Sequence, residues 1–395
     1  MRTVWNIPDL RSLLLGQFVG LIGAGLNLVA MVWLAWELTG TVLASGIVMT
    51  GLALPAVLLS VPAGKLDRHI SPIKLLRFTQ IWITVTLAGL TALMLNHPPV
   101  WSLYIISTLI GVLVAVSRPC RVAMIADFAD GHTDDAMRAN SLTFNVAGLT
   151  GPAVGGLLLT IAGGAWVSGI ATALWVIQLV LIRNVADHGT VPAPENGTYT
   201  RLRDVLRDNS ELCYVVILVG LTCSLPVVQP LPLVGIIGDT FARDAAWYGT
   251  MASLIGLGSV IGALGMKRAI GELTTRTVTG SAAVVAVLGI LMGLTPWFWA
   301  LPVLCVLTGI GMVCFYTSAM SVITKLSGVN KTQVIGLYYV LTSGFPIKLL
   351  VGWCADEFGA RSPLLILGTL TFVGIVLTHF SNRTASVLCH RVQLR

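Results

Sequence analysis

The sequence predicts an all-α membrane protein with twelve transmembrane helices, on three observations. Hydrophobic residues make up 55% of the 395 residues and charged residues only 10%, whereas soluble domains carry about 25% charged residues. The apolar residues gather in twelve separate runs, each near the ~20 residues that a helix needs to cross a bilayer. Since hydrocarbon offers the backbone no hydrogen-bonding water, every such run must be helical.

The predicted spans are joined by short connections, with one exception. They lie near residues 13–36, 43–64, 75–95, 101–124, 140–162, 166–183, 212–236, 247–268, 277–294, 297–324, 333–355 and 363–380. The exception is the polar segment 184–211, which we interpret as a cytoplasmic linker. It divides the chain into an N-terminal six-helix half, 1–183, and a C-terminal half with a short cytoplasmic tail, 212–395.

An internal repeat supports this division. Gly156 and Gly163 recur as Gly352 and Gly359, with an offset of 196 residues in both cases. The offset is about half of the chain. Two parallel halves of this kind are expected to face each other across a pathway.

The basic residues predict the orientation in the membrane. With both termini inside, 21 of the 24 lysines and arginines fall on the cytoplasmic side and 2 outside, while Lys348 lies within a span. Basic loops favour the cytoplasmic side, so both termini are predicted there. The formal charge of +7 therefore reflects topology, and no nucleic-acid partner is expected.

Composition and motifs argue against several classes of function. The seven cysteines form no Cys-x-x-Cys pair or Cys/His cluster, so neither disulfides nor a metal site is expected. The sequence contains no phosphate-binding loop and no catalytic motif. We therefore expect no enzyme and no cofactor. A receptor or scaffold would need an additional soluble domain, and no segment is long enough to form one.

A short basic turn between spans 2 and 3 is a candidate gate. Asp67 and Arg68 follow Gly64 at the end of one span, and Lys74 precedes the next. Charges at a helix end can hold a closed state through hydrogen bonds and the helix dipole. The alternative is that the turn is basic only for topology.

Span 5 contains a dense set of helix-bending residues. Small residues allow close approach of another helix, and a proline inside a helix frees a carbonyl group. The set is Gly148, Gly151, Pro152, Gly155 and Gly156. It predicts a pliable interface between the halves, although simple packing is the alternative.

Lys348 is the most unusual residue, because charge inside a membrane is costly and is functional by default. It is expected to face a water-filled cavity and to attract an anionic substrate or couple to protons. The alternative is that it pairs with another helix or extends partly toward the interface. Arg118 and Arg121 flank Pro119 near the inner end of span 4, where they would make the cavity mouth cationic or act as interfacial anchors. Uncharged polar residues within or beside spans are further substrate-binding candidates, with interhelical hydrogen bonding as the alternative: Gln17, Asn27, Gln229, Tyr316 and Tyr338.

All 17 acidic residues fall in loops, tails or span ends. A proton-coupled exporter is expected to hold a buried acid. The nearest candidates for proton coupling are Glu37, at the outer end of span 1, and Asp239, beside span 7. The coupling ion therefore stays open.

Five motifs occur along the chain: the Asp67-Arg68 loop, Pro119-x-Arg121-x-Ala123, Ala139-Asn140-Ser141, Gly151-Pro152-x-x-Gly155-Gly156 and Ala245-Ala246-x-Tyr248-Gly249. Together they resemble the major facilitator superfamily, and within it the branch that holds the enterobactin exporter and macrolide efflux pumps. The resemblance implies export of a small molecule by alternating access, usually driven by proton antiport. The sequence departs from the pattern at Ala63, where a glycine is expected, and at Gln333, where an arginine is expected.

The basic residues near and within the spans favour an acidic substrate. Together with the resemblance, they predict a monomeric inner-membrane exporter of a small amphipathic anion such as a siderophore, with the lipid bilayer as its other partner. Multidrug or macrolide-type efflux, or solute import by the same fold, are the alternatives.

Overall fold

The computed structural model is almost entirely helical. It describes residues 6–66, 71–95, 98–129, 133–187, 209–222, 230–269, 274–326, 331–342, 344 and 347–393. These residues form helices and turns, and no strand occurs among them. The prediction of an all-α fold is thereby confirmed.

Ten of the predicted spans are each described as one continuous helix, and two are described in two segments. The helices are α1 (Pro8–Thr39), α2 (Val42–Leu66), α3 (Pro72–Met94), α4 (Val100–Asp127), α5 (Thr133–Ala162), α6 (Gly164–Ile182), α7a (Ser210–Thr222), α7b (Pro230–Gly235, continued by a π-helical turn Ile236–Thr240), α8 (Ala245–Ala269), α9 (Thr275–Leu294), α10 (Ala300–Leu326), α11a (Lys331–Thr342), α11b (Ile347–Phe358) and α12 (Ser362–Gln393). Below, α1–α6 are called the N-terminal half and α7–α12 the C-terminal half.

Within the described residues, nine helices are long and apolar enough to cross a membrane. Most extend a few residues beyond the apolar runs in the sequence, because polar residues at a span end can continue a helix into the interface. Helix α1 is an example: it begins with Pro8, whose fixed φ suits a first helical turn, and it ends at Gly40, which has a φ of 67°. The domain boundaries stay a prediction, since residues 188–208 of the linker lie outside the described part.

Short connections make successive helices antiparallel, so the bundle has two distinguishable sides. We call the side at which α1 begins the N-terminal side and the other the opposite side. For example, α1 ends and α2 begins on the opposite side, with only two residues between them.

Among the described residues, the buried apolar core that unites the two halves lies toward one side. One cluster near the opposite side unites residues of both halves, such as Trp33 and Val42 with Tyr248 and Val351. On the N-terminal side there are two separate clusters. All members of one cluster come from the N-terminal half, from Leu10 to Val185 in the sequence. All members of the other come from the C-terminal half, from Leu212 to Ile375. Within the described part, the halves therefore pack together on the opposite side, and their buried apolar clusters are separate on the N-terminal side.

Candidate functional site

A cavity of about 590 Å³ opens between the helices of the C-terminal half. It lies toward the N-terminal side, because its lining comes largely from the last three turns of α10. Five of its seven lining residues carry hydroxyl groups, and Lys325 supplies a cation. The lining residues are Tyr316, Thr317, Met320, Ser321, Thr324, Lys325 and Tyr338. The accessible lining is nonetheless largely apolar, and the hydroxyl groups of Thr324 and Tyr338 donate to backbone carbonyls, so the cavity suits an amphipathic ligand.

On the opposite side, α5 and α8 make the first of two seals between the halves, which we call the α5–α8 seal. A Cβ on Gly156 would lie 2.6 Å from the Ala245 carbonyl oxygen and 2.7 Å from Gly249 Cα. The Gly148 carbonyl, which loses its helical partner because Pro152 has no N–H, lies against Gly256. Only glycine permits backbones to approach so closely.

The helix-bending residues of span 5 therefore serve two interfaces. Gly151 and Gly155 do not face the other half; a Cβ on them would lie 3.0 Å from Gly25 Cα and 2.8 Å from Leu26 Cα, both on α1. Gly156 and the Pro152 carbonyl face α8 instead. The face of α5 that carries Gly156 and the Pro152 carbonyl therefore lies at an interface between the halves, as predicted. The role of these residues in bending the helix stays a prediction.

The second seal, between α2 and α11b, is called the α2–α11b seal. A Cβ on Gly352 would lie 2.6 Å from Leu43 Cα, and one on Gly46 would lie 2.9 Å from the Lys348 carbonyl oxygen. The Asp356 carboxylate accepts hydrogen bonds from the backbone N–H groups of Val42, at 2.6 Å, and Leu43, at 3.0 Å. Sequence reasoning missed Asp356, because an acid at a span end is typical of an ordinary interface.

Lys348 lies at the inner edge of the α2–α11b seal. Its side chain is only 6% exposed, and none of the described residues forms an ion pair or hydrogen bond with its ammonium group. Ten residues separate it from the end of α11b, which places it about 15 Å deep at 1.5 Å per residue. The structure therefore places a cation where the two halves meet, without a countercharge among the described residues.

The other predicted substrate-binding cations lie elsewhere. Arg118 follows the start of α4 by 18 residues, so it and Arg121 lie about 27 Å or more from the opposite side. Arg118 is exposed, and the Nε of Arg121 has no hydrogen-bond partner among the described residues. The structure thus separates them from Lys348 by depth, which spacing along the sequence did not reveal.

The uncharged candidates are held mainly within single halves. Gln17 donates to the Asn140 side chain at 2.7 Å, and Tyr338 donates to the Tyr316 carbonyl at 3.3 Å. Asn27 is buried and donates to Met31, while its Oδ1 has no partner among the described residues. Gln229 lies outside the described residues. Of these, Tyr316 and Tyr338 line the cavity.

The predicted gate between spans 2 and 3 is described only in part. Asp67 and Arg68 lie outside the described residues, and Gly64 lies within the last turn of α2. Lys74 forms an ion pair with Asp187 at 3.3 Å, with 71% of its side chain exposed. This contact joins α3 to the end of the same half, and surface pairs of this kind contribute at most about 1 kcal/mol.

Both candidates for proton coupling lie at the opposite side and are exposed. Glu37 is in the last turn of α1. Asp239 accepts a long hydrogen bond of 3.4 Å from the Trp36 indole, across the two halves. It lies beyond the predicted end of span 7, where partial burial raises the pKa of its carboxyl; the Trp36 hydrogen bond opposes this increase and the Asp356 charge adds to it.

Comparison with known proteins agrees with this architecture. The sequence pattern of the Major Facilitator Superfamily matches residues 13–347. The chain is 24% identical over 389 residues to the staphyloferrin A transporter of Staphylococcus aureus, with 94% of each chain covered. It is 25% identical over 401 residues to the enterobactin exporter EntS of Shigella flexneri, covering 93% of this chain and 92% of that one.

Solved structures share the fold at low sequence identity. A crystal structure of the nucleoside transporter NupG matches with a TM-score of 0.72 and 13% identity, covering 94% of this chain and 99% of that one. The peptide transporter POT in complex with sulfate matches with a TM-score of 0.72 and 12% identity, covering 95% and 94%. Two halves that meet on one side of the membrane, together with a family pattern over most of the chain, make this protein a membrane-embedded, small-molecule transporter of the major facilitator superfamily, and not an enzyme.

Proposed function

We propose that the transporter exports a small amphipathic anion of the siderophore class across the bacterial inner membrane by alternating access. Two relatives that match nearly the whole chain carry siderophore names, staphyloferrin A and enterobactin. Their low identity leaves the particular siderophore open, so the chemistry of the site must support the substrate class.

The observation that carries the proposal is the buried ammonium group of Lys348, which has no ion-pair or hydrogen-bond partner within the described part of the chain. Removing a cation from water without a countercharge is costly. An anionic ligand would supply that countercharge at the place where the halves meet, and its binding would offset the cost. A neutral or cationic ligand would not.

The cavity near the N-terminal side provides the proposed route to Lys348. Its volume of about 590 Å³ falls within the range of sites for drug-sized ligands. We assign the N-terminal side to the cytoplasm, because the basic residues of the loops favour that side. In this orientation the cavity would be reached from the cytoplasm, which supports loading of substrate from that side.

A proton gradient is the proposed driving force. Partial burial raises the pKa of Asp239 in this arrangement. Because opening of this side would return the carboxyl to water, we propose that a proton bound from outside favours closure, the direction in which an empty exporter returns. Because Asp239 is exposed at the opposite side, we propose that it binds the proton there but does not carry it across the membrane. Passage of the proton to the cytoplasm requires another group, and none of the described acids lies at mid-depth.

Retention of siderophore by iron-starved cells tests the proposed function. A deletion strain should hold more siderophore inside and release less than the wild type, and a plasmid copy of the gene should restore release. A pH gradient imposed on membrane vesicles should drive transport, and a protonophore should abolish it. Normal siderophore release by the deletion strain would overturn the substrate assignment, whereas transport that resists the protonophore would overturn proton antiport.

Multidrug efflux is the second candidate. The apolar parts of Tyr316, Met320 and Tyr338 suit amphipathic drugs. However, the cavity lining contains no carboxylate to bind a cationic drug, and Lys325 would repel one. New sensitivity of the deletion strain to hydrophobic cations, with unchanged siderophore release, would favour this function over ours.

A further inference from the structure

The internal repeat contains a third pair of positions that the glycines alone did not reveal. Gly156 and Gly352 are separated by 196 residues, and so are Thr160 and Asp356. Each repeat ends in a glycine with positive φ, 82° at Gly163 and 88° at Gly359. The two segments thus share a glycine, a polar residue one turn later and a left-handed turn.

Each polar residue reaches the first turn of a helix in the other half. The Thr160 hydroxyl accepts a hydrogen bond from the Ala246 N–H, at the start of α8, at 2.9 Å. The Asp356 carboxylate accepts from Val42 and Leu43, at the start of α2. The first N–H groups of a helix have no partner within that helix, so each half supplies an acceptor for such groups in the other half.

These caps exist only while the opposite side is closed. A hydrogen bond is lost once donor and acceptor separate beyond about 3.5 Å, and alternating access requires the halves to separate on this side. In each seal, a glycine one turn before the polar residue, Gly156 or Gly352, holds the two backbones in contact. The hydrogen-bonded cap and the close packing must therefore form and break together.

We propose that Asp356 and Thr160 are gating residues, a pair of latches that hold the opposite side closed during the transport cycle. Asp356 is the stronger latch, because it accepts two bonds with a charged group and lies at the positive end of the α2 dipole. This inference requires a transporter with alternating access but not the anionic substrate or the direction of transport.

Hydrogen–deuterium exchange of the full chain in lipid nanodiscs, without substrate, tests the proposal. Asp356→Ala should increase exchange about tenfold at the start of α2, and Thr160→Val about threefold at the start of α8, as the usual effect of losing a helix cap. If the residues are gating residues, each change must also increase exchange at the other seal, because the halves open as one unit.

Two further variants keep the test decisive. Asp356→Asn retains one acceptor and should give an intermediate increase in a folded protein. Glu357→Gln changes an exposed neighbouring carboxylate and should match the wild type. Increased exchange confined to Val42 and Leu43 would reduce Asp356 to a local cap, and no increase anywhere would overturn the proposal; either result leaves the Lys348 hypothesis untouched.

Discussion

The α5–α8 seal and the α2–α11b seal occupy equivalent places in the two halves, yet they differ in chemistry. The first is neutral: glycine backbones, a proline carbonyl and the Thr160 hydroxyl make its contacts. The second uses the same glycine contact but adds the Asp356 carboxylate, and the buried Lys348 lies at its inner edge.

This difference indicates how one repeat can serve two purposes. The neutral seal relies on backbone contact, which is insensitive to charge. The charged seal places the Lys348 cation, which we propose attracts an anion, on the same helix as Asp356, the proposed latch of the opposite side. We infer that substrate charge is sensed mainly through the α2–α11b seal, whereas the α5–α8 seal closes by uncharged contacts.

Bulk at the glycine contacts should have the largest effect on the seals. Gly156→Ala and Gly352→Ala place a Cβ within 2.7 Å of a facing backbone, and overpacking of this kind costs about 1–3 kcal/mol. Transport rates in lipid vesicles should fall tenfold or more for both. Gly148→Ala, where a Cβ meets no atom within 4 Å, serves as the control; a normal rate for Gly156→Ala would contradict the close-packed seal.

Substituting each latch residue by the other should change the stability of the closed state by a smaller amount. The change should weaken the α2–α11b seal and strengthen the α5–α8 seal. Asp356→Thr should weaken closure by about 1 kcal/mol, and Thr160→Asp should strengthen it by less, because a charged cap interacts better with the helix dipole. The population of the closed state is measured by hydrogen exchange at the starts of α2 and α8. If Thr160→Asp opened the α5–α8 seal, the latches would not be equivalent.

Lys325→Met should have the smallest effect. The side chain is exposed at the cavity, so it would attract an anion through a screened field. We expect KM to rise about threefold at low salt with kcat unchanged, and this difference should disappear at high salt. Arg276→Gln, an exposed change outside the cavity lining, is the control. A fall in kcat alone would argue against a role in substrate entry.

The sequence was sufficient for the spans, because each span depends on a local apolar run. It also identified Lys348, since a lone cation within a span needs no neighbour to be unusual. The depth of Lys348 relative to Arg118 depends on how separate helices pack against each other. Spacing along the sequence therefore could not test whether Lys348, Arg118 and Arg121 form one cationic cluster.

The seals required the structure for a different reason. Gly156 and Gly352 were visible as a repeat, but their partners, Gly249 and Leu43, are distant in sequence. Asp356 stands at a span end, where acids are common, and only its contact with the start of α2 distinguishes it. The offset of 196 residues would have paired it with Thr160 had polar residues been compared as well as glycines.

The most direct test of the account compares Lys348→Arg and Lys348→Met in inside-out vesicles supplied with an acidic siderophore. Loss of one partner of a buried charge pair costs about 2–5 kcal/mol, so Lys348→Met should lower kcat/KM at least thirtyfold. Lys348→Arg should retain more activity because it keeps the charge. Equal transport by the methionine variant and the wild type, at equal expression, would contradict anion recognition by Lys348.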